Sequence, residues 1–169
     1  MLHNHDVRLR PLVLPNDIDL ALPWYQDPEL LYYSEGGAGA VPYDADVVEK
    51  MYRYLLNKGE VFIIEVQTTD GWVAVGDIAL CSNCLPIEIG NAQYRSKGIG
   101  GKVLDLIIDH ARSQGRETLL VNGIYTFNER SHRLFKSRGF SDLKRYVDDD
   151  GNECIPMQLI LERVSPEHP

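Results

Sequence analysis

No stretch of this chain approaches the roughly 20 apolar residues that a membrane-spanning helix needs, and its start, Met1-Leu2-His3-Asn4-His5-Asp6, has no basic segment followed by an apolar one. A cytoplasmic protein with no membrane partner is the expectation. Cysteine is scarce, with three residues in all. Cys81-Ser82-Asn83-Cys84 has the C-x-x-C form but falls in a turn between two strand patterns, and Cys154 is the one remaining thiol. A structural zinc site takes four ligands, so free reduced thiols and no metal are expected. Basic charge is also in deficit, 17 Lys and Arg against 25 Asp and Glu, for a net charge of −8. That balance argues against nucleic acid as a partner; it serves either solubility or the approach of a cationic substrate. Repeats, linkers and low-complexity segments are absent, and 169 residues make one domain with room for a sizeable core.

What is present alternates between strand and helix patterns. Residues 7–12 alternate as a strand, and Pro15-Asn16-Asp17 opens a helix toward Trp24. A helix from Pro28 toward Glu35 follows, then the glycine-rich loop 36–40, a connector or a gate over a substrate. Asp44 and Asp46 are candidate caps of a helix carrying Val47, Met51, Tyr54 and Leu55 on one face. Residues 61–66 and 72–80 read as a hairpin across Thr69-Asp70-Gly71, followed by a strand over 87–93. Residues 101–114 carry the stripe Val103, Leu104, Ile107, Ile108 and Ala111, ended by Gly115. A strand over 117–125, a short helix over 128–137 closed by Gly139, and a hairpin of 140–147 with 154–161 complete the order. The turn Asp148-Asp149-Asp150-Gly151 lacks the remaining ligand positions of a calcium loop and reads as solvated. Asp77 and Glu88 interrupt apolar strands, and each faces solvent, pairs with a cation, or does chemistry.

The most informative residues are Arg95-Ser96-Lys97-Gly98-Ile99-Gly100, between a strand pattern and a helix pattern. Glycines allow close backbone approach, and a helix beginning there points unpaired N–H groups and its positive end at one spot, as a phosphate cradle does. Arg95, Lys97 and Lys102 lie in a span, 94–102, without an acid. A nucleoside triphosphate P-loop is excluded, because Ser96 stands at the first glycine position and Val103 follows Gly101-Lys102. A dinucleotide fingerprint starting at Gly98 fails at Val103 as well.

The remaining pattern, Arg/Gln-x-x-Gly-x-Gly/Ala, resembles the cofactor loop of the GNAT superfamily of acyl-CoA-dependent N-acetyltransferases. Asn128-Glu129-Arg130-Ser131, Leu134-Phe135 and Gly139-Phe140 follow in order. Over residues 86–140 this order resembles the branch with ribosomal-protein N-terminal and aminoglycoside acetyltransferases, as do Trp24, Asp27-Pro28-Glu29 and Tyr32-Tyr33 more loosely.

The resemblance implies an α/β fold, a single-domain, mixed, mostly antiparallel sheet flanked by helices, over residues 7–164 with short tails at 1–6 and 165–169. It implies acetyl-CoA as acetyl donor. Backbone amides from Lys97 through Gly98, Ile99, Gly100 and Gly101 to Lys102 would take the pyrophosphate, with Arg95 as charged support and Gln93 just before it. Asn128 and Ser131, which also read as ordinary helix caps, would meet the pantetheine arm with Phe135 packed nearby. Phe135 stands where a tyrosine acid is common in the family, so Tyr125 or water would protonate the departing sulfur. Glu88 is the candidate general base. Trp24, Tyr33 and Glu35, with Tyr25 and Tyr32, form either an acceptor pocket or ordinary core. The expected function is acetyl transfer to a primary amine, a small molecule or a protein N-terminus, by a monomer or homodimer. A noncatalytic acyl-CoA-binding or sensor module is the alternative.

Overall fold

Alternation along two long strands decides the architecture. In the computed structural model, which describes residues 1–162, β3 (Gly59–Thr68) and β4 (Gly71–Cys81) pair antiparallel. Phe62, Ile64, Ile78 and Leu80 enter one core, while Val61, Ile63, Ala79 and Cys81 enter a second core on the opposite face. A strand buried on both faces needs a layer on each side. β1 (Leu2–Asn4), β2 (Val7–Pro11) and β5 (Ile87–Glu88) complete this antiparallel sheet in the order β1-β2-β3-β4-β5. One face carries α4 (Ile99–Ser113), whose apolar stripe packs into the first core as its spacing predicts. The other face carries α1 (Ile18–Ala21), α2 (Pro28–Ser34) and α3 (Ala45–Lys58). Asp27 caps α2 on the Glu29 N–H and Asp44 caps α3 on the Val47 N–H.

A second sheet follows α4. β6 (Thr118–Tyr125) pairs with β9 (Glu153–Ile160), and the two-residue strands β7 (Ser141–Asp142) and β8 (Tyr146–Val147) also pair with β9. α5 (Glu129–Ser137) lies between β6 and β7 and ends at Gly139, whose φ of 88° suits only glycine without strain. The expected fold class holds: mixed α/β with antiparallel sheets flanked by helices. β5 ends one sheet and β6 the other, and no ladder joins them among the described residues.

Four sequence expectations need correction. The segment 1–6, expected as a short tail, carries a strand: Leu2–Asn4 pairs with β2, and the His3 ring meets Trp72 edge-on at 5.6 Å. The strand expected over 87–93 stops at Glu88, because the Arg95 side chain takes the carbonyls of Ile89 and Gly90 and the Asn91 side chain takes the Gln93 N–H, folding Ala92–Tyr94 into a turn. The strand expected over 140–147 is broken at residues 143–145 into β7 and β8. Asp77 neither faces solvent nor pairs with a cation; it is 5% exposed and bound by tyrosines. The expected domain end at 164 and the tail 165–169 lie outside the described residues.

Candidate active site

A cavity of about 250 Å³ opens where β5, the loop before α4, α2 and α5 meet. Its loop wall is made by Tyr94, Arg95, Ser96, Gly98, Ile99, Gly100 and Gly101, and its β5 wall by Ile87, Glu88 and Ile89. Asn128, Arg130, Ser131 and Leu134 of the α5 region and Leu30 and Tyr33 of α2 close it.

On the loop wall, Gly98 has a φ of 78° and Ser96, which is not glycine, a φ of 58°. Left-handed residues alternating with others in a tight turn can direct successive N–H groups toward one concavity. α4 begins there with no side chain capping it, so its first amides have no partner within the helix. This arrangement suits an anion. The three glycines have different reasons. Gly98 supplies the left-handed turn, whereas a Cβ at Gly100 would press on Leu134 and one at Gly101 would collide with the Arg138 guanidinium. Those two glycines admit α5 rather than a ligand, a cause that spacing alone did not reveal.

The cationic reading of this loop changes in three dimensions. Arg95 is bound by Asp27 at 2.7 Å and Glu29 at 2.9 Å, and its side chain is only 10% exposed. It ties α2 to the end of β5 and is not a free phosphate contact. Lys102 is held by Asp6 at 2.6 Å. Lys97 is exposed, with its ammonium 5.6 Å from the Tyr94 ring centroid. Gln93 is exposed and lies outside the cavity lining.

Glu88 is the titratable group on the β5 wall. Burial pushes its pKa up to about 8, helped by the negative charges of Asp77 and Glu35 and opposed by Arg95 and Arg130. A carboxyl so placed holds or accepts a proton near neutral pH. Asn128 caps α5, accepting from the Ser131 N–H at 3.2 Å and donating to the Tyr33 carbonyl at 3.4 Å, so it joins α5 to α2 at the cavity rim. Tyr33 lines the cavity, under the Arg130 guanidinium at 5.2 Å. Glu35 is exposed beyond it.

Three further candidates are placed elsewhere. Trp24 is 7% exposed and fills the space over Gly90, where a Cβ would fall inside the indole; it is core, not an acceptor contact. Phe135 is 2% exposed and packs on Phe140 at 5.1 Å. Its neighbour Leu134, about 100° round the helix, faces the cavity instead. Tyr125 stacks on Phe127 at 5.2 Å and is not among the lining residues. Sequence reading missed Leu30, Ile87, Ile89, Tyr94, Arg130 and Leu134 as lining; Arg130 and Ser131 lie four and three residues before Leu134, on its side of α5, and that spacing is the signal that marks three of that wall's residues.

The acetyltransferase (GNAT) domain family matches residues 6–141. The chain belongs to this family. No curated protein matches the sequence significantly, but solved structures share the GNAT fold. A domain from Methanocaldococcus jannaschii superposes with a TM-score of 0.77 at 21% identity, covering 94% of this chain and all of that one. A RimL ribosomal L7/L12 alpha-N-protein acetyltransferase in complex with coenzyme A gives 0.76 at 10% identity, covering 95% of this chain and 97% of that one. The aminoglycoside acetyltransferase AAC(6')-Ib with ribostamycin and coenzyme A gives 0.73 at 17% identity, covering 92% and 94%. At these identities the likeness carries the fold. Within a GNAT fold, the uncapped start of α4 and the open side of β5 on one cavity fit a ligand with a phosphate group at one end and a hydrogen-bonding arm at the other. No helix among the described residues is long and apolar enough to cross a membrane.

Proposed function

We propose that this protein is an acetyl-CoA-dependent N-acetyltransferase that moves an acetyl group to a primary amine by direct transfer in a ternary complex. The observation that carries this is one cavity with an uncapped helix start on one wall and a proton-accepting carboxyl, Glu88, on the other. When bound, acetyl-CoA would supply a thioester carbonyl; attack by the neutral amine nitrogen would form the amide N–C bond and break the C–S bond, with the amine losing a proton and the sulfur leaving as the thiol. Amides of Gly98, Ile99, Gly100 and Gly101 hold the pyrophosphate, with Lys97 adding charge from the rim. Asn128 and Ser131 border the pantetheine arm, and Leu134 packs where the sequence suggested Phe135.

The chemical problem is the amine. With an ordinary pKa of about 10.4, roughly one molecule in a few thousand is neutral at pH 7. Glu88, once ionised, takes the proton the amine must lose; a base with a pKa of about 8 is better matched to this task than an ordinary carboxylate. The acceptor enters beside Tyr33, with the exposed Glu35 near enough to act on Glu88 by its charge, an aromatic and acidic approach suited to a cation. A small amine and a protein N-terminus both satisfy it.

Thiol release is followed with acetyl-CoA and a panel of aminoglycosides, polyamines and N-terminal peptides across pH 6–10. Transfer to at least one amine, rising with pH through an apparent pKa near 8, is expected. Saturable acetyl-CoA binding with no transfer to any class would instead identify a noncatalytic acyl-CoA sensor.

A further inference from the structure

Behind Glu88 lies a buried group that the proposed transfer does not use. Asp77 of β4 is directly opposite Glu88 of β5 in the antiparallel register, so both side chains leave the same face of the sheet. Asp77 is 5% exposed and enters no ion pair among the described residues. Its carboxylate accepts from the Tyr52 hydroxyl at 2.7 Å and from the Tyr25 hydroxyl at 2.8 and 3.0 Å. Tyr52 is fully buried, and Tyr25 is stacked on Tyr43 at 5.4 Å. A buried acid with no cation is expensive, and two hydroxyl donors are the minimum that lets it ionise.

We propose that Asp77, clamped by Tyr25 and Tyr52 and set opposite Glu88 across the β4–β5 ladder, is a positioning residue whose charge makes the ionised Glu88 a stronger base toward the substrate amine. The inference rests on the reading of Glu88 as the base.

The two carboxyls cannot both ionise without repulsion, and their surroundings decide the order. Asp77 has the two hydroxyl donors; burial raises its pKa to about 6, and the hydroxyls restrain the rise. Glu88 has no hydroxyl donor and keeps its proton longer. The other groups facing Glu88 are Glu35 from the loop after α2, Arg95 from the loop before α4, Arg130 from α5, and the hydroxyls of Tyr25 and Tyr43. Arg95 is already committed to Asp27 and Glu29, and Arg130 approaches Glu29 at 3.6 Å. Both cations still pull the Glu88 proton away, each by less than Asp77 holds it. Glu88 first gives its own proton to solvent through the open cavity; the ionised carboxylate then takes the proton the amine loses, with no change in total charge, and the departing sulfur takes up a proton after transfer.

The test is a ¹³C NMR titration of side-chain carboxyls in the ligand-free protein, with the Glu88 signal assigned by its loss in Glu88→Gln. In the unsubstituted protein Glu88 should titrate near pH 8, with a smaller inflection as Asp77 ionises at lower pH. In Asp77→Asn, which keeps shape and an acceptor, the Glu88 midpoint should fall by about one unit or more, and the acidic limb of kcat/KM should move down with it. Tyr52→Phe, which weakens the Asp77 anion, should move both in the same direction by less. A Glu88 midpoint that stays in place in folded Asp77→Asn overturns the proposal. If that variant does not fold, a Glu88 titration at ordinary carboxylate pH, without the second inflection, overturns it in the unsubstituted protein. Failure of the base reading looks different: the midpoint shifts, yet Glu88→Gln keeps full turnover, and the positioning role is then rejected although the coupling is real.

Discussion

On the loop wall of the cavity, residues 94–102 hold three cations and no acid in sequence, yet space neutralises two of them: Arg95 lies between Asp27 and Glu29, and Lys102 lies on Asp6. On the β5 wall, Asp77 and Glu88 stand opposite each other with no ion-paired cation between them. One wall thus offers backbone amides, with Lys97 alone of its three cations outside an ion pair among the described residues, and the other holds two acids facing each other. Charge counted along a chain says little about charge available at a site, because partners arrive from elements tens of residues away.

Glu88→Gln breaks the β5 wall and carries the largest expected effect. Turnover should fall by about 10²- to 10⁴-fold, while acetyl-CoA affinity stays within about threefold, since the loop wall is untouched. The same variant has a stability signature. Glu88 has a raised folded-state pKa, so the folded state keeps a proton the unfolded chain has released, and its contribution to stability declines from about pH 4.5 to about pH 8. Glu88→Gln should therefore gain in Tm relative to the parent across that window and hold a constant advantage above it. Equal pH profiles of Tm would contradict the raised pKa.

Gly90→Ala strikes the seam between the two walls. Its methyl group would enter the Trp24 indole, so a loss of about 1–3 kcal/mol or more is expected, read as a Tm drop of roughly 2–4 °C per kcal/mol at this size. Asp27→Ala and Arg95→Ala then decide what Arg95 does. If it is a tie between α2 and β5, both variants lower Tm together and both weaken acetyl-CoA binding. If it is a phosphate contact, Asp27→Ala frees the guanidinium and strengthens binding. Lys97→Ala should have the smallest effect, about a two- to fivefold loss of acetyl-CoA affinity that fades as salt rises, because an exposed charge is screened.

The loop was legible in sequence because its information is local. Gly98 needs its left-handed turn, the stripe from Val103 to Ala111 sets the helix phase, and an uncapped helix start follows directly. The β3–β4 hairpin was legible for the same reason: alternation and a glycine turn lie within one stretch. What could not be read is the nonlocal pairing. Asp27 and Glu29 reach Arg95 across more than 60 residues, and this removed the expected free phosphate contact. Phe135 and Leu134 are adjacent apolar residues, and only the position of Phe140 decides which of them faces the core. Asp77 stood out as an acid in an apolar strand, but its partners Tyr25, Tyr52 and Glu88 come from three other segments.

The central claim is that the uncapped start of α4 receives acetyl-CoA, and it is tested most directly by thermal unfolding of the full chain with acetyl-CoA beside ATP and NAD controls. At about 100 times its Kd, acetyl-CoA should add near 2.7 kcal/mol of stability, seen as a clear rise in Tm that neither control reproduces. No rise with acetyl-CoA, or a larger one with ATP, would contradict the account.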